Sequence, residues 1–269
     1  MTGFYLYCVR HAVGGDHPIT APAIDGDGHV TCVPFRRLEA VVSEVPLDTF
    51  GSEEIQRRAQ EDVGWIKQKA VAHEAVIEQA LPDGDDPPGL VPMQFGIVCE
   101  GRDRLEHLLE EKYSVLLRAA DELRGKREWS AKAYLTDEAA LDRLIEQLDP
   151  QLQEQCREAA AMPEGAAFFV EQDIEETRSH QREQQIARAA QAAYERLAGR
   201  AEKARRARLL PQELTGRSDR MVLNVACLVR ANQVDAFTQE ADEMNADLRG
   251  KGFALEYSGP WPAYSFTSF

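Results

Sequence analysis

Basic charge, sulfur chemistry and long apolar runs are all in short supply in this chain. Thirty-one Lys and Arg face forty-six Asp and Glu, a formal charge of −15 over 269 residues. That balance argues against nucleic acid or an anionic membrane as the main partner, and its plainest use is solubility. The five cysteines, Cys8, Cys32, Cys99, Cys156 and Cys227, include no CxxC pair. Four of them fall in apolar strand-like runs, so they read as reduced core residues of a cytosolic protein, and no zinc site is expected. No uninterrupted apolar run approaches the roughly 20 residues that span a bilayer, and the N-terminus lacks a charged region followed by an apolar one. The expectation is a soluble, untargeted, cytoplasmic chain with no membrane partner. No GxGxxG or Walker loop appears, so no nucleotide cofactor is expected. The tryptophans Trp65, Trp129 and Trp261 are dispersed and offer no stacking platform for single-stranded nucleic acid.

What is present is enough apolar material for a sizeable core: 43% of the residues are hydrophobic, which at this length suggests two domains. Gly3 to Val9, His29 to Phe35 and Leu38 to Val45 are β-branched or aromatic runs separated by Gly, Pro and Asp, and read as three strands. A long helix is predicted from Ser52, as N-cap, to Leu81, where Pro82 ends it. The acidic loop Asp83 to Gly89 leads to a strand at Val91 to Cys99 and a helix from Arg102 to Leu123. This makes a first α+β domain, residues 1–125. The second, 126–269, starts with a strand at Arg127 to Leu135 and a helix capped by Thr136 that reaches Leu148. Another helical run leads from Pro150 to a turn at Met162 to Gly165. From Ala166 to about Arg208 the pattern stays helical and its apolar residues are mostly alanine, so the pair, about 150–208, is expected to project as a coiled-coil-like arm. Met221 to Val229, Gln233 to Leu248 and Phe253 to Tyr257 read strand, helix, strand. The fold class is therefore α+β, with a second domain compatible with a ferredoxin-like sheet carrying a long helical insertion.

Candidate chemistry is sparse. A strand ending in Arg10-His11 is how histidine phosphatases present a nucleophilic imidazole beside a phosphate-binding guanidinium, which makes a phosphohydrolase using His11 the alternative function. The competing reading is a surface turn into Gly14-Gly15. His73-Glu74 lacks a second histidine four positions on, where Ile77 stands, so it is not a zinc-protease helix. Asp25-Gly26-Asp27-Gly28 begins like a calcium loop, but Arg36 falls where the twelfth-position glutamate belongs, leaving a turn. Among the cations of 186–208, Arg196, Arg200 and Arg205 either complement a helix C-terminus in solvent or meet an acidic partner. No catalytic set, cofactor or metal site is read from these patterns.

The C-terminus carries the most information. Four aromatics and two prolines occupy Gly259 to Phe269, where a chain usually frays. Gly-Pro-Trp-Pro cannot continue a helix, so an extended segment is expected, crossing between the two domains. Trp261, Tyr264 and Phe266 either complete a core or bind a partner. The ending LEYSGPWPAYSF resembles the closing signature of the gas vesicle protein F/L family, in which an apolar strand runs into Gly-Pro-Trp-Pro-Pro-Tyr-x-Phe. Phe4-Tyr5-Leu6-Tyr7 is similar to that family's opening strand, Leu38 to Gly51 to its second signature, and Leu90 to Val98 to its Pro-x-Arg-Phe-Gly-Thr segment. Gln94 stands where the family has Arg, Ile97 where it has Thr, and Ala263 where it has a second Pro. The resemblance implies two α+β domains, the second with a modified ferredoxin-like part. It also implies a non-catalytic gas vesicle assembly or minor structural protein whose partners are the major hydrophobic shell protein and other gas vesicle accessory proteins.

Overall fold

The computed structural model describes residues 1–14, 18–82, 84 and 86–267, with the side chains of 164–166 left aside. Gly15 of the turn after His11, Asp83 and Asp85 of the acidic loop, and Ser268 and Phe269 lie outside the described residues. The chain divides into two compact units. The first comprises Met1–Glu128, Arg230–Asn232 and Pro260–Phe269, the second Trp129–Val229 and Gln233–Gly259. Both mix helix with antiparallel sheet, as an α+β chain should.

In the first unit the elements run β1 (Thr2–His11), β2 (Val30–Phe35), β3 (Leu38–Pro46), α1 (Leu47–Phe50), α2 (Ser52–Glu61), α3 (Val63–Ala80), β4 (Leu90–Pro92), β5 (Val98–Cys99) and α4 (Arg102–Leu123). The sheet order is β2-β3-β1-β4, with β5 also on β1. Tyr5 to Val9 are fully buried, because successive side chains of β1 point to opposite faces and helices α3 and α4 both pack against the strand. The helix expected from Ser52 to Leu81 is two helices. The Asp62 carboxylate accepts the Trp65 N–H at 2.9 Å and so caps a new start, an Asp doing at a break what it does at any N-terminus. Gly51, not Ser52, holds the N-cap of α2. The strand expected at Val91 to Cys99 is likewise two short pieces, since Gly96 sits at φ 92 and donates to the Tyr5 hydroxyl at 3.0 Å.

The second sheet has the order β7-β8-β6-β9, built from β6 (Lys126–Leu135), β7 (Lys203–Arg206), β8 (Arg220–Arg230) and β9 (Phe253–Trp261). Between β6 and β7 come α5 (Glu138–Leu148), α6 (Pro150–Ala160) and α7 (Glu164–Ala198); α8 (Gln212–Thr215) follows β7, and α9 (Val234–Arg249) joins β8 to β9. Asp137, not Thr136, caps α5 by accepting the Ala140 N–H at 2.9 Å.

The C-terminal part of the expected arm needs correction. Helix α7 ends at Ala198, and Lys203–Arg206, expected to be helical, pair antiparallel with β8 instead. Ile186, Ala190, Ala193 and Leu197 lie in the same apolar core as Leu141, Ile145, Phe237 and Leu255. Alanine does not make this face thin. Its small side chain lets α7 approach its neighbours closely, and the area is buried by proximity rather than by bulk.

Candidate functional site

The tail is docked, and two carboxylates hold it. After β9 the chain turns at Pro262 and Ala263, and Tyr264–Phe266 form a 3-10 turn where an extended segment was expected. The Phe266 N–H closes it on the Ala263 carbonyl at 3.1 Å. The Tyr264 hydroxyl donates to Glu74 Oε1 at 2.7 Å. Ser265 donates its backbone N–H to Glu128 Oε2 at 2.8 Å and its hydroxyl to Oε1 at 2.7 Å. Burial pushes the carboxyls of Glu128 and Glu74 above the usual carboxylate range, and burial beside Glu74 pushes the Tyr264 phenol far up, so it stays a donor. Of the three aromatics singled out, Tyr264 packs against the core of the first unit, Phe266 is half-buried and Trp261 remains 44% exposed. Glu74 and Glu128 escaped sequence reasoning; Glu74 at least stands in a largely apolar stretch, Ala70 to Ile77, whereas Glu128 follows Lys126 and Arg127 and carries no such signal.

The arginines do not form one cationic face. Arg196 reaches Glu240 at 2.6 Å and Asp247 at 2.8 Å, and Arg200 reaches Glu240 at 3.0 Å, so Arg196 ties α7 to α9 and Arg200 ties the turn after α7 to it. Arg205 lies on β7, at one end of its sheet.

His11 sits on the last residue of β1, opposite in direction to its neighbour, as strand geometry demands. Arg10 therefore points into the core, where its Nε donates to Glu39 at 2.7 Å and its Nη1 to the Ala80 carbonyl. The imidazole and the guanidinium face opposite sides of the sheet. His11 Nδ1 accepts the Gly89 N–H at 3.2 Å, which leaves the proton on Nε2 and directs it to Asp121 at 2.8 Å. Gly89 can take part because it has no Cβ to strike the Ala120 carbonyl of α4. With its lone pair engaged and the Arg10 guanidinium on the other face, the expected Arg10-His11 phosphate site does not form, although a hollow of 280 Å³ lined also by Arg124 opens next to the imidazole. His73 is a core histidine. Its Nδ1 accepts from the Tyr5 hydroxyl at 3.0 Å, its Nε2 donates to the Met93 carbonyl at 3.1 Å, and burial lowers its pKa to about 4. Asp25 spends its carboxylate on the N–H groups of Asp27 and Gly28, an Asx turn. Among the described residues no three His, Cys, Asp or Glu come together as a metal site, and no helix is long and apolar enough to cross a membrane.

The sheet edges differ in character. β7 carries Lys203, Arg205 and Arg206, charges of the kind that protect an edge from pairing. β2, at the end of the other sheet, reads Val-Thr-Cys-Val-Pro-Phe and has Pro34 as its single guard, with Thr31 and Cys32 exposed.

Comparison with known proteins places these features. The family model described as gas vesicle synthesis protein GvpL/GvpF matches residues 3–268. Gas vesicle protein L of Streptomyces sp. (strain CB03234) is 28% identical over 263 residues, spanning 97% of this chain and 91% of its own. Gas vesicle protein L1 of Halobacterium salinarum is 25% identical over 279 residues, spanning 98% and 90%. In fold, the chain is similar to the crystal structure of GvpF from Anabaena sp. PCC7120, with a TM-score of 0.69 at 18% identity, covering 100% of this chain and 97% of that one. GvpF from Microcystis aeruginosa gives 0.59 at 18%, covering 99% of each.

Proposed function

The chain belongs to the gas vesicle GvpL/GvpF family, and we propose that it is a non-catalytic assembly or minor structural protein of gas vesicles, working in the cytoplasm by binding the hydrophobic shell protein and other accessory proteins. The single observation that carries this reading is the family match from one end of the chain to the other. The placement of His11 supports the absence of catalysis. Acidity and an open edge suit a carrier: a formal charge of −15 keeps a complex dispersed, and β2 offers an uncharged strand to which an extended apolar segment can add. Main-chain hydrogen bonds then hold a subunit that would otherwise aggregate until a growing shell takes it. The second unit reads as a modified ferredoxin-like sheet with a helical insertion, a reading supported by the order β7-β8-β6-β9 and by helices after β6 and β8.

The experiment is genetic. Deleting the gene in a vesicle-forming host should abolish or sharply reduce vesicles, and the wild-type chain should restore them. Unchanged vesicle yield in the deletion strain would remove the proposal. Quantifying the chain in purified vesicles separates a component that stays from one that leaves.

A further inference from the structure

The seam between α5 and α7 is incompletely filled. On α5, Leu141, Leu144 and Leu148 succeed one another at helical spacing; on α7 the facing positions include Ala189 and Ala192, and Phe253 of β9 closes the floor. Two alanines opposite leucines leave a hollow of 380 Å³. A second hollow of 360 Å³ continues it past Leu148 and Gln185 toward Gln181 and Asp149. Residues 181 to 192 of α7 therefore line a groove about 16 Å long at 1.5 Å per residue. Leu148, on its wall, is 61% exposed, an unusual position for a large apolar side chain beside a seam of others.

Charge sets the occupant. Arg188 and Lys251 stand at the rim of the groove, both exposed. Among the described residues neither side chain has an ion-pair partner, whereas other arginines of this helix are engaged: Arg178 with Glu146, Arg182 with Asp142, Arg196 with Glu240. In a chain with fifteen more acidic than basic residues, two unpaired cations flanking one apolar groove stand out. The carboxylate of Asp149 at the far end is already occupied by the N–H groups of Gln151 and Leu152 and the Gln181 amide.

We propose that this groove docks an acidic amphipathic helix of a partner protein, its leucine-like side chains seated between α5 and α7 and its carboxylates on Arg188 and Lys251. A helix lying in a groove buries its apolar face and leaves its charged flanks to choose the partner. The occupant differs in kind from the strand proposed for β2, so either site can fail without the other.

The probe is a synthetic helical peptide with leucines at i, i+4 and i+7 and glutamates on both flanks, compared with a twin carrying lysines instead. Fluorescence polarisation with the full chain should show the acidic peptide binding at least tenfold more tightly than its twin, and weakening as salt rises. R188E/K251E, which changes only exposed side chains, should invert that preference. Ala192→Trp, checked for folding by circular dichroism, should lose the peptide by filling the groove, while a β2 variant such as Thr31→Lys should keep it. Equal affinity for both peptides, no binding of either, or full affinity in R188E/K251E would overturn the assignment. So would two other results: sedimentation velocity showing the chain to be a dimer that Ala192→Trp dissociates, which makes the occupant a second copy, or tighter binding of palmitate that displaces the peptide, which makes it a fatty acid.

Discussion

Replacing Glu128 by Ala removes the group that holds Ser265 twice. The Glu128 side chain is buried, with the residue 8% exposed, whereas Ser265 is exposed, so water can take over part of what its two donors lose. Hydrogen bonds to a charged acceptor contribute about 1.5 to 3 kcal/mol each. Two at the lower end give about 3 kcal/mol, and relief from no longer burying a carboxylate, with rehydration of the exposed Ser265, brings the loss to about 2 kcal/mol. At about 2 to 4 °C per kcal/mol for a protein of this size, the transition of the first unit should fall by about 4 to 8 °C. Glu128→Gln keeps one acceptor oxygen and should lose about half as much. Trp261→Ala serves as the contrast: at 44% exposure it should cost well below the roughly 3 to 5 kcal/mol of a buried aromatic. Differential scanning calorimetry reads the transitions, and amide exchange at Ser265 reads the local bond. If Glu128→Ala melts with the wild type and leaves that amide equally protected, the carboxylate does not anchor the tail.

Three further outcomes follow from the same geometry. Because Glu74 and Glu128 have raised native values, the folded chain takes up their protons at higher pH than the unfolded one. Stability should therefore rise as pH falls from neutral toward the ordinary carboxylate value of about 4.3, relative to an E74Q/E128Q variant; parallel pH profiles of the two proteins would contradict it. Ile186→Ala in α7 should cost about 2 to 4 kcal/mol, as for a core position, measured by urea unfolding, whereas a value near zero would restore a dispensable arm. His11→Ala should leave vesicle yield unchanged and alter no phosphatase activity of the purified chain; a phosphatase activity lost in that variant would revive the phosphohydrolase reading.

Strand positions in the first unit were legible because Tyr5 to Val9 is a short apolar run and Leu38 to Val45 is rich in β-branched residues, both bounded by turn residues. The break at Asp62 was not, because Asp inside a helical pattern looks like a surface residue until its carboxylate is seen capping Trp65. In α7 the spacing of Ile186, Ala190, Ala193 and Leu197 was visible, yet alanine was weighed by its bulk instead of by the close approach it permits. The tail was recognisable as docked from its aromatics and prolines. Its anchors were not, since Glu74 and Glu128 meet Tyr264 and Ser265 only through tertiary folding. The groove beside Arg188 is invisible for the same reason: it exists because leucines of α5 come to face alanines of α7.

Co-purification from vesicle-forming cells tests the central claim most directly. The tagged chain is recovered before shells mature, and the shell protein bound to it is quantified against a tag-only control and against a folded Thr31→Lys variant of the β2 edge. The account predicts shell protein enriched with the wild type and at least tenfold less with the variant. Recovery of the folded wild-type chain with no shell protein above the control would contradict it.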